Sequence, residues 1–269
     1  MINSISIVGG ENKDGRKENF GSIDIYSGEI VGIVGPTGSG KSALIEDIEQ
    51  LAQEDTTTKR QILINKQTPD PSLRFDPKKK LIAQLSQNMN FIADMTVDDF
   101  LKLHAKCRGK STHLADKIIY HANLLTGEPI KKEMNLTVLS GGQSRSLMVA
   151  DVAFISNSPV VLIDEIENAG IKKHEAMKLL SGSGKIVLVV THDPLLALLT
   201  QRRIVMQNGG IQKIIRTSVE ETNLCAKLYH VDKELFKVRE MVRAGEEITT
   251  GFDFGNTKSM QLNLISELC

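Results

Sequence analysis

The sequence predicts an α/β fold built on a mainly parallel sheet, with antiparallel strands at its N-terminal side and a helical lobe inserted between core strands. Three observations predict it. Ile30 to Val34 is a continuous apolar run that ends in a glycine-rich loop followed by a helical pattern, the order of a buried strand, a turn and a packed helix. Val160 to Ile163 and Ile186 to Val190 are two further apolar runs, separated by a helical stretch from about Lys172 to Leu180, as parallel strands with a crossover helix require. Aromatic residues make up only 4% of the chain and Trp is absent, so Ile, Val and Leu must build the core, which suits strands buried on both faces.

The elements follow in order. Ser4 to Val8 and Ser22 to Tyr26 alternate or run apolar and read as two edge strands ahead of the buried one, with the turn Ser27-Gly28-Glu29 leading into Ile30. After the glycine loop, Ala43, Leu44, Ile45 and Ile48 fall at helical spacing. Residues 53 to 80 are polar, hold three of the seven prolines and end in Lys78-Lys79-Lys80, a solvated edge, before Leu81 to Leu85 resumes strand character. Thr96 can cap a helix whose first turn holds Asp98 and Asp99 and whose apolar face is Val97, Phe100, Leu101 and Leu103. A second helix carries Leu114, Ile118 and Leu125 on one face, so residues about 88 to 138 form the lobe. Ile204 to Met206 and Ile211 to Ile215 flank Asn208-Gly209-Gly210, a hairpin signal. Beyond Arg216 the sequence reads as one long helix and a polar tail. Leu224, Leu228, Val231, Leu235, Val238 and Val242 make a stripe on that helix, expected to be buried. The division is therefore 1–216 for the core with its lobe and 217–269 for the C-terminal helix and tail.

Basic and acidic residues number 33 each, a formal net charge of zero, so no long-range field favours a nucleic acid and none is expected as partner. Cys107, Cys225 and Cys269 have no metal-ligand spacing and read as reduced thiols. No apolar run reaches the length of about 18 residues that crosses a bilayer, and Met1 to Gly10 lacks the regions of a secretory signal. The chain is expected to be cytoplasmic, with membrane contact only peripheral, on the inner face, through a partner.

Three motifs carry chemistry. In Gly35-Pro36-Thr37-Gly38-Ser39-Gly40-Lys41-Ser42 the glycines let backbone N–H groups close around phosphate oxygens, Lys41 supplies a cation, Ser42 can place its hydroxyl on magnesium, and the following helix adds its positive end. Val160 to Ile163 then runs directly into Asp164-Glu165. Carboxylates at the C-terminal end of a parallel strand face the ligand crevice, so Asp164 can hold a magnesium shell while Glu165 polarises an attacking water; acids also end strands as turn formers. Ser140, Gly141, Gly142 and Gln143, preceded by Leu139, open a long apolar helix and are either a second anion site or a capped helix start.

With these three in this order, residues about 3 to 215 resemble the ATP-binding cassette (ABC) superfamily, whose signature is the pentapeptide Leu139-Ser140-Gly141-Gly142-Gln143. The resemblance implies a P-loop NTPase core that binds ATP and Mg2+ and hydrolyses ATP in a head-to-tail dimer, with a second copy or with a related cassette, the signature of one chain closing the phosphate loop of the other. It implies that Gln87 is the glutamine that contacts magnesium or water and couples to a partner, and that His192 is the switch histidine that contacts the γ-phosphate. This sequence departs from the family in having no aromatic residue at 9 to 19 to stack on adenine. It also has Ile166 in place of a customary proline, and Asn168-Ala169-Gly170-Ile171 where a loop ending in Asp crosses the dimer interface. A guanine-reading Asn-Lys-x-Asp is absent, because Asn65-Lys66-Gln67-Thr68 lacks the acid, and the stretch from Gln87 to Ser140 is too short for an inserted coiled coil. The resemblance favours the nucleotide-binding subunit of an ABC transporter with a separate membrane permease; the alternative is a soluble ABC ATPase that remodels or activates another protein.

Overall fold

The computed structural model describes residues 2–76, 80–86, 89–164 and 171–248, which fall into two compact units, Met1–Arg216 and Thr217–Cys269. The first unit opens with Ser4–Val8 (β1), Ser22–Tyr26 (β2), Ile30–Val34 (β3), Lys41–Glu49 (α1), Gln61–Ile64 (β4), Pro71–Phe75 (α2) and Ile82–Ser86 (β5). It continues through Val97–Cys107 (α3), Leu114–Leu125 (α4), Gly141–Phe154 (α5), Val160–Asp164 (β6), Lys173–Gly182 (α6) and Ile186–Val190 (β7). Pro194–Leu199 (α7), Arg202–Gln207 (β8) and Gly210–Arg216 (β9) complete it.

The main sheet has the order β5-β6-β7-β3-β8-β9, parallel throughout except for the antiparallel β8–β9 hairpin. Successive side chains of a strand point to opposite faces, and the core divides accordingly. On one face Val31, Ile33, Leu162, Leu188 and Val190 meet Leu44, Ile45 and Ile48 of α1. On the other, Val161, Ile163, Val187 and Val189 meet Val149, Val152 and Ala153 of α5 and Ala176, Met177 and Leu180 of α6. Strands covered on both sides must be apolar at every position, which is why β6 and β7 lack alternation.

The edge-strand expectation for the N-terminal strands is corrected. β1 is the centre of a separate antiparallel sheet, β2-β1-β4, and its Ile5 and Ile7, with Ile23, Ile25 and Ile62, close over the same core as α1. The third strand, β4, lies inside the stretch taken as polar; only four residues long, it buries Ile62 and Ile64 while Gln61 and Leu63 are half-buried. Of the triple lysine, Lys78 and Lys79 lie outside the described residues, and exposed Lys80 pairs with Glu49 at 2.5 Å.

In the lobe, Thr96 accepts from Asp99 N as the cap of α3, and Val97, Leu101 and Ala105 pack against Ala115, Ile118 and Ala122 of α4. Leu147 and Ala150 of α5 complete this core. The helix that covers the sheet therefore also closes the lobe, and it is apolar on two sides.

The second unit contains Val219–Ala244 (α8), opened by a capping box between Ser218 and Glu221 and ended by Gly245 at φ 71°. The expected burial of its apolar stripe is corrected: Leu224, Leu235 and Val242 are 49%, 41% and 59% exposed, and the covered positions are Cys225 and Glu234. Cys225 and Glu234 are nine residues apart, about 180° around the helix, so they flank the stripe on opposite sides, while Leu228, Val231 and Val238 within it are half-buried. The polar tail from residue 249 lies outside the described residues.

Candidate functional site

The C-terminal ends of β6, β7 and β3 lie side by side in the sheet, and each carries one of the sequence motifs. Asp164 pairs in register with Val190, and Val190 with Ile33, so Asp164 ends the strand next to β7, and the phosphate loop leaves the strand on β7's other side. Two strand spacings of about 4.8 Å separate β6 from β3. In open parallel sheets ligands bind in the crevice beyond these ends, where the strand order reverses, and β3 sits at that point between β7 and β8.

The loop itself is shaped by its glycines. A Cβ on Gly35, at φ 154°, would lie 2.4 Å from Met206 O, and one on Gly40, at φ 99°, would lie 2.6 Å from Gly209 Cα. Gly40 is the N-cap of α1 with no side chain bonded across the cap and no acid in the first turn, which leaves the helix's first N–H groups and positive end for an anion. Lys41 Nζ donates to Gly35 O at 2.8 Å and Pro36 O at 3.0 Å, so its ammonium rests on the loop. Pro36, Thr37, Gly38 and Ser42 are exposed and Ser39 is buried. Ser39 Oγ has no hydrogen-bond partner among the described residues.

The β8–β9 turn braces this loop from behind through Gly209 N–H, which donates to Ser39 O at 2.8 Å. A buried ion cluster holds the turn in turn. Arg60 is fully buried and donates to Glu18 at 2.8 and 2.9 Å, to Asp47 of α1 at 3.0 Å and to Gly209 O at 2.8 Å. Burial pushes the Glu18 carboxyl up, but the hydrogen bond and charge of Arg60 and the N–H groups of Ile211 and Gly10 outweigh it and hold it below the usual range. Nothing in the sequence marked these three residues, which stand far apart in the chain and look like surface charges until it folds.

His192 follows β7 and is exposed. Its neighbour Asp193 caps α7 through Leu196 N–H at 3.0 Å, and Lys173, at the start of α6, pairs with Asp193 at 2.5 Å while nearly buried. Burial raises the Asp193 carboxyl, and the Lys173 bond with the helix N–H groups more than offsets it, so it is held low. Gln87 and Glu165 lie outside the described residues, as do Ile166, Asn168, Ala169 and Gly170.

Ser140 to Gln143 are not brought to this crevice from the same side, because α5 packs on the sheet face opposite α1. The capped helix start is observed in this segment. Ser140 Oγ accepts from Gln143 N at 3.3 Å and Gln143 Oε1 accepts from Ser140 N at 2.9 Å, a capping box, while Gln143 Nε2 reaches Pro129 O at 3.1 Å. Gly141 and Gly142 remain without side chains at the positive helix end.

The family model described as "ABC transporter" matches residues 20–168. The chain belongs to the ABC transporter family. This cassette is 64% identical over 249 residues, 92% of its own length and 95% of the relative's, to a protein of Methanocaldococcus jannaschii called an uncharacterized ABC transporter ATP-binding protein. It is 30% identical over 77% of its length to the sn-glycerol-3-phosphate import ATP-binding protein UgpC of Escherichia coli, of which it spans 58%. Among solved structures it shares the fold of cbiO1 from Clostridium perfringens, part of the transporter complex cbiONQ, at TM-score 0.60 and 21% identity over 89% of this chain and all of that one. A bacterial ABC transporter cassette solved as a dimer matches at TM-score 0.59 and 25% identity over 80% of this chain and 99% of that one.

A triphosphate-bound magnesium ion needs only one or two protein oxygens, its other ligands being phosphates and waters. Ser42 at the start of α1 and Asp164 two strands away are donors of that kind. Among the described residues no group of three or more His, Cys, Asp or Glu could hold a metal alone. The donor set of Ser42 and Asp164 fits an ion carried by the nucleotide.

Proposed function

We propose that this cassette binds and hydrolyses ATP as the nucleotide-binding subunit of a transporter, acting in a head-to-tail dimer. The observation that carries the reading is the alignment of three chemistry-bearing strand ends, β6, β7 and β3, along one edge of the sheet. The loop from Gly35 to Ser42 cradles the β and γ phosphates, and Lys41 leaves its two carbonyls for stronger, charge-assisted bonds to phosphate oxygens. Ser42, Asp164 and Gln87 would hold the magnesium ion, which would supply charge neutralisation at the phosphates when ATP is bound. Glu165 polarises the attacking water, and His192 contacts the γ-phosphate. Gly141 and Gly142 of a second copy, at the positive end of its capped α5, close the open side of the phosphates. The companion chain is a second copy or a related cassette. A separate permease supplies the membrane contact, since no helix among the described residues is long and apolar enough to cross a bilayer.

Glu165→Gln tests the reading. The amide keeps the shape and removes the general base, so turnover should fall by roughly 10² to 10⁴ while ATP binding persists, and sedimentation with ATP and magnesium should show an accumulated dimer. A variant that hydrolyses ATP at the wild-type rate, or stays monomeric at saturating ATP, refutes the role of this residue.

A further inference from the structure

We propose that Lys13 is a second cation for the nucleotide's polyphosphate, and that this cassette therefore holds its ligand by the phosphates with little discrimination of the base. The inference rests on the nucleotide-binding reading above.

Lys13 lies in the connection from β1 to β2, which folds over the tip of the phosphate loop. Its Nζ donates to Gly38 O at 2.8 Å, and its backbone N–H donates to Asn208 O at 3.0 Å. The approach is close: a Cβ on Gly209 would lie 2.6 Å from Lys13 Cγ. The connection is fixed on both sides of Lys13. Asn12 Oδ1 accepts from Asp14 N and Arg16 N, both at 3.0 Å, and Glu18 is tied into the buried Arg60 cluster that also grips Gly209. Lys13 is thus a side chain with an anchored base and an exposed tip.

The charges around it leave the ammonium available. The acids of the same connection are engaged elsewhere: Glu11 pairs with Lys59 at 2.8 Å, Glu18 with Arg60, and Asp14 accepts from Asn208 Nδ2 at 2.7 Å. Lys13 has no carboxylate partner among the described residues. A lysine ammonium carries three donors and the Gly38 carbonyl takes one, and a phosphate oxygen is a stronger acceptor than a carbonyl because the bond is charge-assisted at both ends. Lys41 rests on carbonyls of the same loop in the same manner.

The connection offers no aromatic ring to stack on a base. Stacking needs a π face, and residues 9 to 19 include no aromatic. Phe20 packs against the main core, and Tyr26 sits at the far end of β2, paired with Ser4 rather than with Val8. Where a ring would supply base contacts, the chain supplies a charge.

Titration of the full chain with ATP, GTP and tripolyphosphate tests the proposal, with folding of each variant checked by circular dichroism. ATP and GTP should bind wild type within a few-fold of each other, and tripolyphosphate should compete with both. Lys13→Ala should weaken all three by about tenfold or more, the scale of one charge-assisted hydrogen bond, and Lys13→Arg, which keeps the charge, should retain most of the affinity. Lys41→Ala separates the two levels of inference. If Lys41→Ala loses nucleotide and Lys13→Ala does not, the role of Lys13 is overturned and the nucleotide reading stands. If neither variant loses affinity, the nucleotide reading itself fails. Loss confined to ATP, or a wild-type protein that binds ATP far more tightly than GTP, overturns the phosphate role by placing the contact at the base.

Discussion

Replacing Arg60 by Met keeps the bulk of the side chain and removes the guanidinium from a place where it is fully buried between two carboxylates. The loss comprises the Nε and Nη2 bonds to Glu18, the Nη1 bond to Asp47 and the Nη2 bond to Gly209 O. Breaking a buried ion pair by removing one partner costs about 3–5 kcal/mol, because the remaining charge stays buried without compensation. Here the lower end applies. Asp47 keeps the Thr58 hydroxyl at 2.7 Å, and Glu18 keeps the N–H groups of Gly10 and Ile211. A loss of about 3 kcal/mol is more than a hundredfold in the folding equilibrium. Urea denaturation of wild type and Arg60→Met measures it, and adding Glu18→Gln should recover part of the loss by neutralising one stranded carboxylate. Since Glu18 is held below its ordinary value of 4.5, its contribution is complete above that pH and is lost as pH falls through the lower folded value. In Arg60→Met the Glu18 carboxyl keeps the burial that raises it and loses the Arg60 contacts that lower it, so it takes up a proton at a higher pH than in wild type, and the gap should be full at neutral pH and narrow as pH falls through the carboxylate range. A loss under about 1 kcal/mol, the range of exposed pairs, would refute the claim that this cluster holds the phosphate loop's surroundings together.

Two further outcomes follow from single positions. Gly40→Ala places a Cβ 2.6 Å from Gly209 Cα at a φ of 99°, so it should abolish most nucleotide affinity as the loop and the β8–β9 turn are forced apart; titration showing wild-type affinity would mean that the loop reshapes freely. Lys185, donating to Ser156 O and Ser158 O, is pushed down to about 8 by burial and by the charge of Lys110, against a smaller opposing pull from Asp151. Between about 8 and its ordinary 10.5 the unfolded chain binds more protons than the folded one, so stability relative to Lys185→Met should rise with pH across that window; a flat difference in denaturation midpoint would show that the amine titrates normally.

The phosphate loop and the strands behind it were legible because local rules suffice there: an apolar run, glycines at fixed offsets and a helical pattern occur consecutively. Asp164 was legible as the end of an apolar run, whereas His192 was singled out only through the family resemblance. What failed required knowledge of pairing. Gln61 to Ile64 is four residues in a polar stretch, and only the backbone of β1 makes it a strand. The same pairing turned β1 from an edge into a centre. The Glu18–Arg60–Asp47 cluster and the Lys173–Asp193 pair join residues with no periodic relation, so composition counted them among surface charges. The stripe on α8 rests on spacing alone, and Leu224, Leu235 and Val242 within it are exposed. In α5 the sequence showed an apolar helix without showing that two cores divide it.

That division has a mechanical consequence. Leu147 and Ala150 belong to the lobe, while Val149, Val152 and Ala153 belong to the layer over the sheet, so α5 acts as a lever arm shared by both bodies. The lobe cannot part from α5 without opening its own interior, and the boundary between the two cores runs where Val149, Val152 and Ala153 meet Ala176, Met177 and Leu180 of α6 and the sheet. Ser140, at the tip of that arm, then travels with the whole lobe. The signature glycines are thus joined to the lobe through packed helix rather than through a loop.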